Sequence, residues 1–281
     1  MSEAVIIPHP ERLDVSKLSI RRDGAAQFHV LADFDNTLTR AFVNGEKAPS
    51  IIGQLRKGRY LTPEYPDAAQ ALFDHYAPIE RDHTMPLDVR VAEMQTWWEK
   101  HFALLEQSGF NKDVIDDVVL HSTLQFRDQI KDFIDFLEAH QIPLIIMSAA
   151  PGDMLIAHLK HEGLLRPNVH VIANLYEFDA AGNAVKIKEP IIHSLNKHEV
   201  VIRHFPIFNE IKERPNILLL GDGLGDIGMA EGFEYKEIIK VGFLNQDVEN
   251  SLPIYSENFD IVITDDGSLE FVNEMLIEMM D

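Results

Sequence analysis

The chain contains no cysteine. Disulfide bonds, thiolate metal sites and cysteine nucleophiles are therefore excluded, and this composition is compatible with a reducing cytosol. No apolar run approaches the roughly 18 residues that a membrane-spanning helix needs. No apolar segment follows a basic start, as it would in a signal peptide. We therefore expect a soluble cytoplasmic protein with no membrane partner.

Basic side chains are scarce. The 25 Lys and Arg residues stand against 46 Asp and Glu residues, which gives a formal net charge of −21. So acidic a protein repels polyanions, and we expect neither DNA nor RNA as its main partner. A phosphorylated small molecule would need local cations to overcome this field, and a bound metal ion supplies them well. The sequence makes no prediction of oligomeric state.

Alternating apolar runs and helical patterns organise the chain. Strands buried on both faces are predicted at 28–32, 143–148, 217–221 and 261–264, with weaker runs at 169–173 and 237–241. Helical spacing is found at 126–140, 153–162 and 269–280. This alternation predicts an α/β fold with a mostly parallel, doubly wound sheet.

The interval between Asp33 and Ser148 is far longer than one crossover helix needs. A structureless loop of that length is improbable, and the stretch contains helix-like patterns such as 91–107. We therefore predict a helical cap domain at 51–122, inserted into a catalytic core formed by 1–50 and 123–281. The cap holds both tryptophans, and at least one of them is expected in its interior. Residues 1–27 are predicted only as a leading segment.

Two aspartates, Asp33 and Asp35, directly follow the first predicted strand. In parallel α/β sheets, ligands bind at the carboxyl ends of the strands. Two carboxylates placed together there repel each other unless a cation neutralises them. The pair therefore indicates a hard divalent metal ion, an activated carboxylate, or both.

Further polar groups occur at matching places. Ser148 ends the second strand before a glycine turn, where a hydroxyl and free N–H groups suit a phosphate oxygen. Asp222 and Asp226 follow the strand at 217–221, and Lys197 lies on a polar stretch before it. Each alone has an ordinary explanation as a helix cap, a turn residue or a solvated charge. Their joint order along the chain favours a functional site.

This motif set resembles that of the haloacid-dehalogenase-like phosphohydrolases, and within them the cytosolic pyrimidine 5'-nucleotidases (cytosolic 5'-nucleotidase III type). The resemblance runs from about residue 28 to the C-terminus. The segments that carry it are 33–40 (DFDNTLTR), 76–80 (YAPIE), 97–109 (WWEKHFALLEQSG), 148–153 (SAAPGD), 192–198 (IHSLNKH) and 220–232 (LGDGLGDIGMAEG). It implies a Rossmann-like core with a cap. It also implies Mg2+-dependent hydrolysis of nucleoside 5'-monophosphates, most closely UMP and CMP, through an aspartyl phosphate.

The resemblance assigns catalytic and metal-binding roles. Asp33 would be the nucleophile, and Asp35 would protonate the leaving ribose oxygen and then activate water. Lys197 would neutralise charge on the transferring phosphoryl group. Mg2+ would be bound by Asp33, by Asp222 and by the backbone carbonyl of Asp35. Asp226 would support these ligands or add a further one.

The resemblance also assigns substrate contacts. Ser148, the amide of Ala149 and Lys197 would bind the phosphoryl oxygens. Glu80 falls where a cap glutamate helps to select the base, since a carboxylate accepts a hydrogen bond from an exocyclic amine. His101 replaces the family's cap serine, which implies a different base or sugar preference.

Two alternatives remain open. The chain could be a phosphatase or phosphotransferase for another small phosphoester, which a substrate panel with nucleoside acceptors would distinguish. It could also be a nucleotide-binding protein without turnover, a reading that the intact set of acidic and basic groups disfavours. Among the histidines, His29 inside the first strand is expected to be a hydrogen-bonded core residue.

Overall fold

A computed structural model describes residues 4–82, 84–197, 202–203, 205–232 and 234–280. Its strands are β1 Val5–Ile6, β2 Phe28–Ala32, β3 Phe42–Val43, β4 Glu46–Lys47, β5 Leu144–Pro151, β6 Val169–Asn174, β7 Tyr176–Phe178, β8 Ala184–Ile187, β9 Asn216–Gly221, β10 Glu237–Leu244 and β11 Ile261–Thr264. Its α-helices are α1 Pro10–Asp23, α2 Ile51–Lys57, α3 Tyr65–Arg81, α4 Leu87–Gln107, α5 Lys112–Leu120, α6 Ile130–Ala139, α7 Gly152–His161, α8 Phe208–Ile211, α9 Val248–Asn258 and α10 Glu270–Met280. Short 3-10 helices span Ala25–Gln27 and Leu224–Ala230.

Seven strands form the central sheet in the order β1-β11-β10-β9-β2-β5-β6. β1 runs antiparallel to β11, and the other neighbours are parallel. All six strands predicted from apolar runs are present. β2 lies between β5 and β9, so the first strand of the predicted core occupies the middle of the sheet.

Helices cover both faces of the sheet. In β9, Leu218 and Leu220 belong to an apolar cluster that includes residues of α1, α6, α7 and α10. The alternate residues Ile217 and Leu219 belong to a second cluster, which includes Ile211 of α8. Since successive side chains of a strand point to opposite faces, this strand is apolar on both sides. The doubly wound α/β fold is confirmed.

Two segments differ from their predictions. The helix predicted at 126–140 begins at Ile130, because Phe126 pairs with Thr39 and the amide of Arg127 donates to the carbonyl of Leu38. Residues 1–27 are more than a leading segment within the described chain. β1 completes one edge of the sheet, and α1 packs on the core through Leu13 and Ile20.

Helices α2–α5 occupy the interval for which a cap was predicted. Several of their residues join the same apolar cluster as the sheet, among them Ile51 of α2, Phe102 of α4 and Ile115 of α5. The hairpin β7–β8 was not predicted, and its Tyr176 packs against Phe102. The cap boundaries at 51 and 122 stay a prediction. No helix in the described ranges has both the length and the apolar character needed to cross a bilayer.

His29 is a hydrogen-bonded core residue, as expected, and should make the protein less stable in acid. Its Nδ1 donates to the carbonyl of Arg214 at 2.9 Å. Burial lowers the pKa of His29 from 6.5 to about 4, and this hydrogen bond offsets only part of the effect. Because the folded pKa lies below the unfolded one, the stabilisation is complete above pH 6.5 and is lost as the pH falls towards 4.

The prediction is tested by urea unfolding of the wild type and of His29→Asn at pH 7 and pH 5. The asparagine keeps an N–H near the position of Nδ1 but does not titrate. Between these pH values the wild type should lose about 2 kcal/mol more stability than the variant. Equal losses in the two proteins would contradict the assignment.

Candidate active site

The carboxyl ends of β5, β2 and β9 bring three predicted site residues to one edge of the sheet. Asp33 follows β2, Asp222 follows β9, and Ser148 lies in β5. β2 is the middle strand of the three. The amide of Asp33 donates to the carbonyl of Leu220 at 3.0 Å, which extends the strand pairing to the aspartate itself. The backbone therefore holds Asp33 beside the end of β9.

Three carboxylates form a cluster at this edge. Asp33, Asp222 and Asp226 each offer an oxygen, and these oxygens lie within 4.8 Å of one another. The ammonium of Lys197 donates to Asp33 and, at 3.4 Å, to Asp226. The structure thus brings together residues from three separate segments of the chain. Hard carboxylate oxygens are the ligands that a divalent cation such as Mg2+ prefers.

The turn after β9 is built around Asp226. Its Oδ2 accepts hydrogen bonds from the amides of Asp222 at 3.1 Å and Gly223 at 3.0 Å. Gly221 permits this arrangement, because a Cβ at that position would lie 2.5 Å from the Cβ of Asp226. The turn therefore fixes the Asp226 carboxylate and leaves its other oxygen facing Lys197.

The electrostatics of the cluster favour a cation. Burial raises the pKa of Asp33 to about 7, and the charge of Lys197 only partly opposes this effect. Burial and the neighbouring charges of Asp226 and Asp33 also raise the pKa of Asp222. Burial alone would lower the pKa of Lys197, but Asp33 and Asp226 outweigh it and raise that pKa above its usual value. Three carboxylates facing one ammonium leave negative charge that a divalent ion would balance.

Asp35 lies in the loop after β2, where its side chain contacts the start of α2. Its Oδ1 accepts a hydrogen bond from the amide of Ile51 at 3.0 Å. Burial raises the pKa of Asp35 to about 6, and the bond from Ile51 limits the rise. A carboxyl group with a pKa near neutrality can both give and take a proton at working pH. Its side chain is not part of the three-carboxylate cluster.

Ser148 and Ala149 lie on β5, next to the central strand. The Ser148 hydroxyl is buried and accepts a hydrogen bond from the amide of Ala150 at 3.1 Å. The carbonyl of Ala149 accepts from the side-chain amide of Asn174 at 2.7 Å. Both residues therefore belong to the same sheet edge as the acidic cluster.

Glu80 and His101 lie on different helices of the predicted cap, α3 and α4. The carboxylate of Glu80, at the end of α3, accepts a hydrogen bond from the hydroxyl of Ser194. His101 of α4 is buried, and its Nε2 is 3.0 Å from the hydroxyl of Tyr65. Burial lowers the pKa of His101 to about 4. Glu80 thus reaches the loop of Lys197, whereas His101 is packed inside the cap.

The two tryptophans form an aromatic stack within the cap. Trp97 stacks on Tyr76, with ring centroids 5.8 Å apart and planes 11° apart. Trp98 stacks on His101 and packs against Phe102. Both indoles are buried, in agreement with the expectation that at least one of them is an interior residue.

Arg127 supports the loop after β2, which carries Asp33 and Asp35, and it was not predicted from the sequence. It is fully buried and donates hydrogen bonds to the carbonyls of Asn36, Thr37 and Gly267. Its guanidinium also lies 4.1 Å from the centroid of the Phe243 ring. The bonds to Asn36 and Thr37 join the segment before α6 to the residues directly after Asp35. The sequence gives no signal for such a contact, because the acceptors are main-chain carbonyls, which every residue has.

Asp266 and Asn245 complete this support. Asp266 is an ion-pair partner of Arg127 at 3.3 Å, and it also accepts from the amides of Ala41 and Phe42. Asn245 donates to the carbonyl of Asn36 at 3.0 Å and accepts from Arg127 at 3.2 Å. The loop that presents Asp33 and Asp35 is therefore held by a buried polar network.

Comparison with known proteins identifies relatives over nearly the whole chain. The model of the pyrimidine 5'-nucleotidase (UMPH-1) family matches residues 36–280. The 7-methylguanosine phosphate-specific 5'-nucleotidase of Mus musculus is 34% identical over 277 residues, covering 98% of this chain and 92% of that protein. The putative cytosolic 5'-nucleotidase 3 of Caenorhabditis elegans is 32% identical over 282 residues, covering 98% of this chain and 75% of that protein.

Solved structures show the same relationship. Cytosolic 5'-nucleotidase IIIB bound to cytidine superposes with a TM-score of 0.87 at 27% identity, over 98% of this chain and 93% of that one. A haloacid-dehalogenase family hydrolase from Salmonella enterica matches at a TM-score of 0.59 and 15% identity, over 95% of this chain and 79% of that one, and supports the fold. The chain has the haloacid-dehalogenase-like fold and is a 5'-nucleotidase, a phosphoric monoester hydrolase, that belongs to the pyrimidine 5'-nucleotidase (UMPH-1) family.

Proposed function

We propose that this chain is a Mg2+-dependent 5'-nucleotidase that hydrolyses pyrimidine nucleoside 5'-monophosphates, CMP and UMP, through an aspartyl phosphate on Asp33. The observation that carries the proposal is the cluster of Asp33, Asp222, Asp226 and Lys197 at the carboxyl edge of the sheet. A cytoplasmic location is part of the proposal, in line with the names of the cytosolic relatives. So is the division into a cap at 51–122 and a core.

The residues present fit a divalent metal ion. Phosphatases of the haloacid-dehalogenase type generally use such an ion. Here an all-oxygen donor set of Asp33 and Asp222, with the backbone carbonyl of Asp35, would hold Mg2+, and Asp226 would support it or add a ligand. When bound, the ion would reduce the repulsion between the nucleophile and the phosphate dianion.

The first step of the proposed reaction transfers the phosphoryl group to Asp33. A carboxylate oxygen of Asp33 forms a bond to phosphorus while the bond between phosphorus and the ribose 5'-oxygen breaks. The carboxyl group of Asp35 gives its proton to that leaving oxygen, which its raised pKa favours. Lys197, with Ser148 and the Ala149 amide, holds the phosphoryl oxygens on which negative charge accumulates.

The second step returns the enzyme to its starting state. The Asp35 carboxylate takes a proton from a water molecule as the water oxygen bonds to phosphorus. The bond between phosphorus and Asp33 then breaks, which releases inorganic phosphate and restores the carboxylate. Asp35 ends the cycle protonated and ready for the next leaving group.

The cap residues would select the nucleoside. Glu80 lies at the cap face nearest to the Lys197 loop, and its carboxylate suits the exocyclic amine of cytosine. His101 would influence the base or sugar preference through its packing with Tyr65 and Trp98, because its own ring is buried. The stacked Trp97 and Tyr76 give this part of the cap an aromatic wall.

A substrate panel tests the proposal. Phosphate release is measured with CMP, UMP, AMP, 7-methylguanosine monophosphate and ribose 5-phosphate, each with Mg2+ and with EDTA. We expect CMP and UMP to give the highest kcat/KM, and EDTA to abolish release because the acidic cluster then lacks its counter-charge. Release that persists in EDTA after exhaustive dialysis would contradict the metal requirement.

A second base preference has its own support. Several relatives at 33–35% identity are named 7-methylguanosine phosphate-specific 5'-nucleotidases. If kcat/KM is higher for 7-methylguanosine monophosphate than for CMP, the proposed pyrimidine preference is wrong. The proposed nucleotidase mechanism is unaffected by that result. Transfer of phosphate to added cytidine would identify a phosphotransferase, and binding of CMP without any turnover would overturn the proposed reaction.

A further inference from the structure

The loop that delivers Lys197, residues 193–197, is anchored firmly to the core at its beginning. Asn174 at the end of β6 accepts from the amide of Ile192 and donates to its carbonyl, both at 2.8 Å. Asn196 closes the turn, accepting from the amide of His193 at 2.7 Å and donating to the carbonyl of Ile191 at 2.9 Å. The loop thus leaves the sheet in a defined direction and does not depend on Lys197 alone for its shape.

The same loop is attached to the cap by two consecutive residues. The Ser194 hydroxyl donates to the carboxylate of Glu80, at the end of α3. Leu195 packs against a cap cluster whose buried members are Tyr76, Ala77, Met94 and Trp97. One contact is polar and the other apolar, and the polar one joins residues 114 positions apart in sequence. Movement of α3 away from the core would have to break both.

The loop also lies against the turn that carries Asp226. The carbonyl of Ser194 would be 3.7 Å from a Cβ placed on Gly225, and that of Lys197 would be 3.8 Å from one placed on Gly228. These are ordinary van der Waals separations, so the two segments touch without strain. A shift of the loop would therefore also disturb the acidic cluster.

From these contacts we propose that Ser194 and Leu195 are positioning residues that couple the attachment of α3 and α4 to the placement of the Lys197 ammonium. The inference rests on the proposed function, since it concerns the same phosphoryl site. Lys197 is three residues from Ser194, and its ammonium must reach Asp33 and Asp226 together. Displacements of about 1 Å in a charge-stabilising group cost large factors in rate.

This coupling makes a prediction that differs from simple base recognition. If Ser194 only oriented Glu80 towards a base, its removal would raise KM for nucleotides and leave a base-free substrate unaffected. If Ser194 acts through Lys197, its removal lowers kcat for every phosphoester, because the phosphoryl group is then held less well. Comparing the change in KM for nucleotides with the change in kcat for a base-free substrate therefore separates recognition from positioning.

The experiment compares kcat and KM of Ser194→Ala for CMP and for ribose 5-phosphate, which has no base. We expect kcat to fall about tenfold with both substrates, the loss typical of a hydrogen bond to a charged group, while KM changes less than threefold. Ser194→Thr, which keeps the hydroxyl, should restore most of the rate. Leu195→Ala should lower kcat in the same direction through the apolar contact.

Ser16→Ala is the matched control, because Ser16 also donates to a glutamate, Glu237, at 3.0 Å but lies far from the site. Its kinetic constants should equal those of the wild type. An effect of Ser194→Ala confined to the KM of CMP, or no effect at all, would overturn the proposal.

A second measurement does not depend on turnover. Hydrogen exchange followed by mass spectrometry should show faster exchange in peptides covering 191–197 and the end of α3 in Ser194→Ala than in Ser16→Ala. If the wild type released no phosphate from any substrate, the proposed function would fail. Unchanged exchange in these peptides would instead overturn the coupling, so the two failures are distinguishable.

Discussion

Replacing Asp33 by asparagine is expected to lower kcat for CMP by at least about 10^3-fold, because an amide oxygen is a poor nucleophile towards phosphorus and a weaker metal ligand. The substitution preserves the size and shape of the side chain. It also preserves the hydrogen bond from the backbone amide of residue 33 to the carbonyl of Leu220, so the backbone of the site should not move. Phosphate release under saturating CMP and Mg2+ measures the effect.

The control for this variant is Asp260→Asn. Asp260 is another buried aspartate, but it directly precedes β11, at the amino ends of the strands, and its carboxylate accepts from the amide of Lys240 within β10. Activity close to that of the wild type is expected there. If Asp33→Asn retained more than about a tenth of the wild-type rate, the aspartyl-phosphate route would have to be abandoned.

The same variant should be at least as stable as the wild type when metal is removed. Burial raises the pKa of Asp33 to about 7, above its ordinary value of 3.8. A group with a raised folded pKa stabilises the fold at low pH and loses that contribution as the pH rises through 7. At pH 8 in EDTA the ionised carboxylate therefore costs stability, which asparagine avoids. Thermal unfolding of both proteins under these conditions would reveal the difference.

Replacing Arg127 by methionine is expected to destabilise the protein by about 3–5 kcal/mol, since it leaves Asp266 as a buried charge without its main partner. The carbonyls of Thr37 and Gly267 would lose the guanidinium donor as well. Against a total stability of about 5–15 kcal/mol for a typical protein, this is a large fraction. Urea unfolding monitored by circular dichroism would measure it.

Arg40→Met is the control, because Arg40 approaches the same Asp266 at 3.8 Å with a side chain that is 26% exposed. Partly exposed pairs contribute at most about 1 kcal/mol. Arg127→Lys keeps the charge but not the planar guanidinium, so its stability should lie between those of the two methionine variants. It also provides a folded protein if Arg127→Met does not fold. Equal urea midpoints for Arg127→Met and Arg40→Met would show that burial of this guanidinium adds nothing.

The sheet could be predicted because its inner strands have no exposed face. β2 and β9 are buried along their whole length, so each is a continuous apolar run. The residues directly after such runs lie at one edge by the geometry of parallel strands. That is why Asp33 and Asp222 could be placed together without a structure.

Other parts left too little pattern to predict. β1 has two residues, and α1 exposes Val15 and Leu18, which weakens its apolar face. The first turn of the helix predicted at 126–140 follows helical spacing. Phe126 and Arg127 pair instead with Thr39 and Leu38, in the loop after β2. In this second case a tertiary contact overrides the local pattern.

The contacts between the predicted cap and the core could not be predicted from the sequence either. Glu80 could be named from its resemblance to a family position, yet its partner Ser194 could not. A hydroxyl on a loop has many potential acceptors, and spacing does not choose among them. The partners of a buried arginine that binds carbonyls are equally hard to predict, since every residue offers a carbonyl.

The close approach at Gly221 limits how this enzyme can be redesigned. Any side chain there would collide with Asp226, whereas a methyl group on Gly223 or Gly225 would meet its nearest neighbour at 3.7 Å. A mutant library that seeks new substrates should therefore hold position 221 constant and admit alanine at 223 and 225. The mutational tolerance of a three-glycine turn is thus concentrated in two of its members.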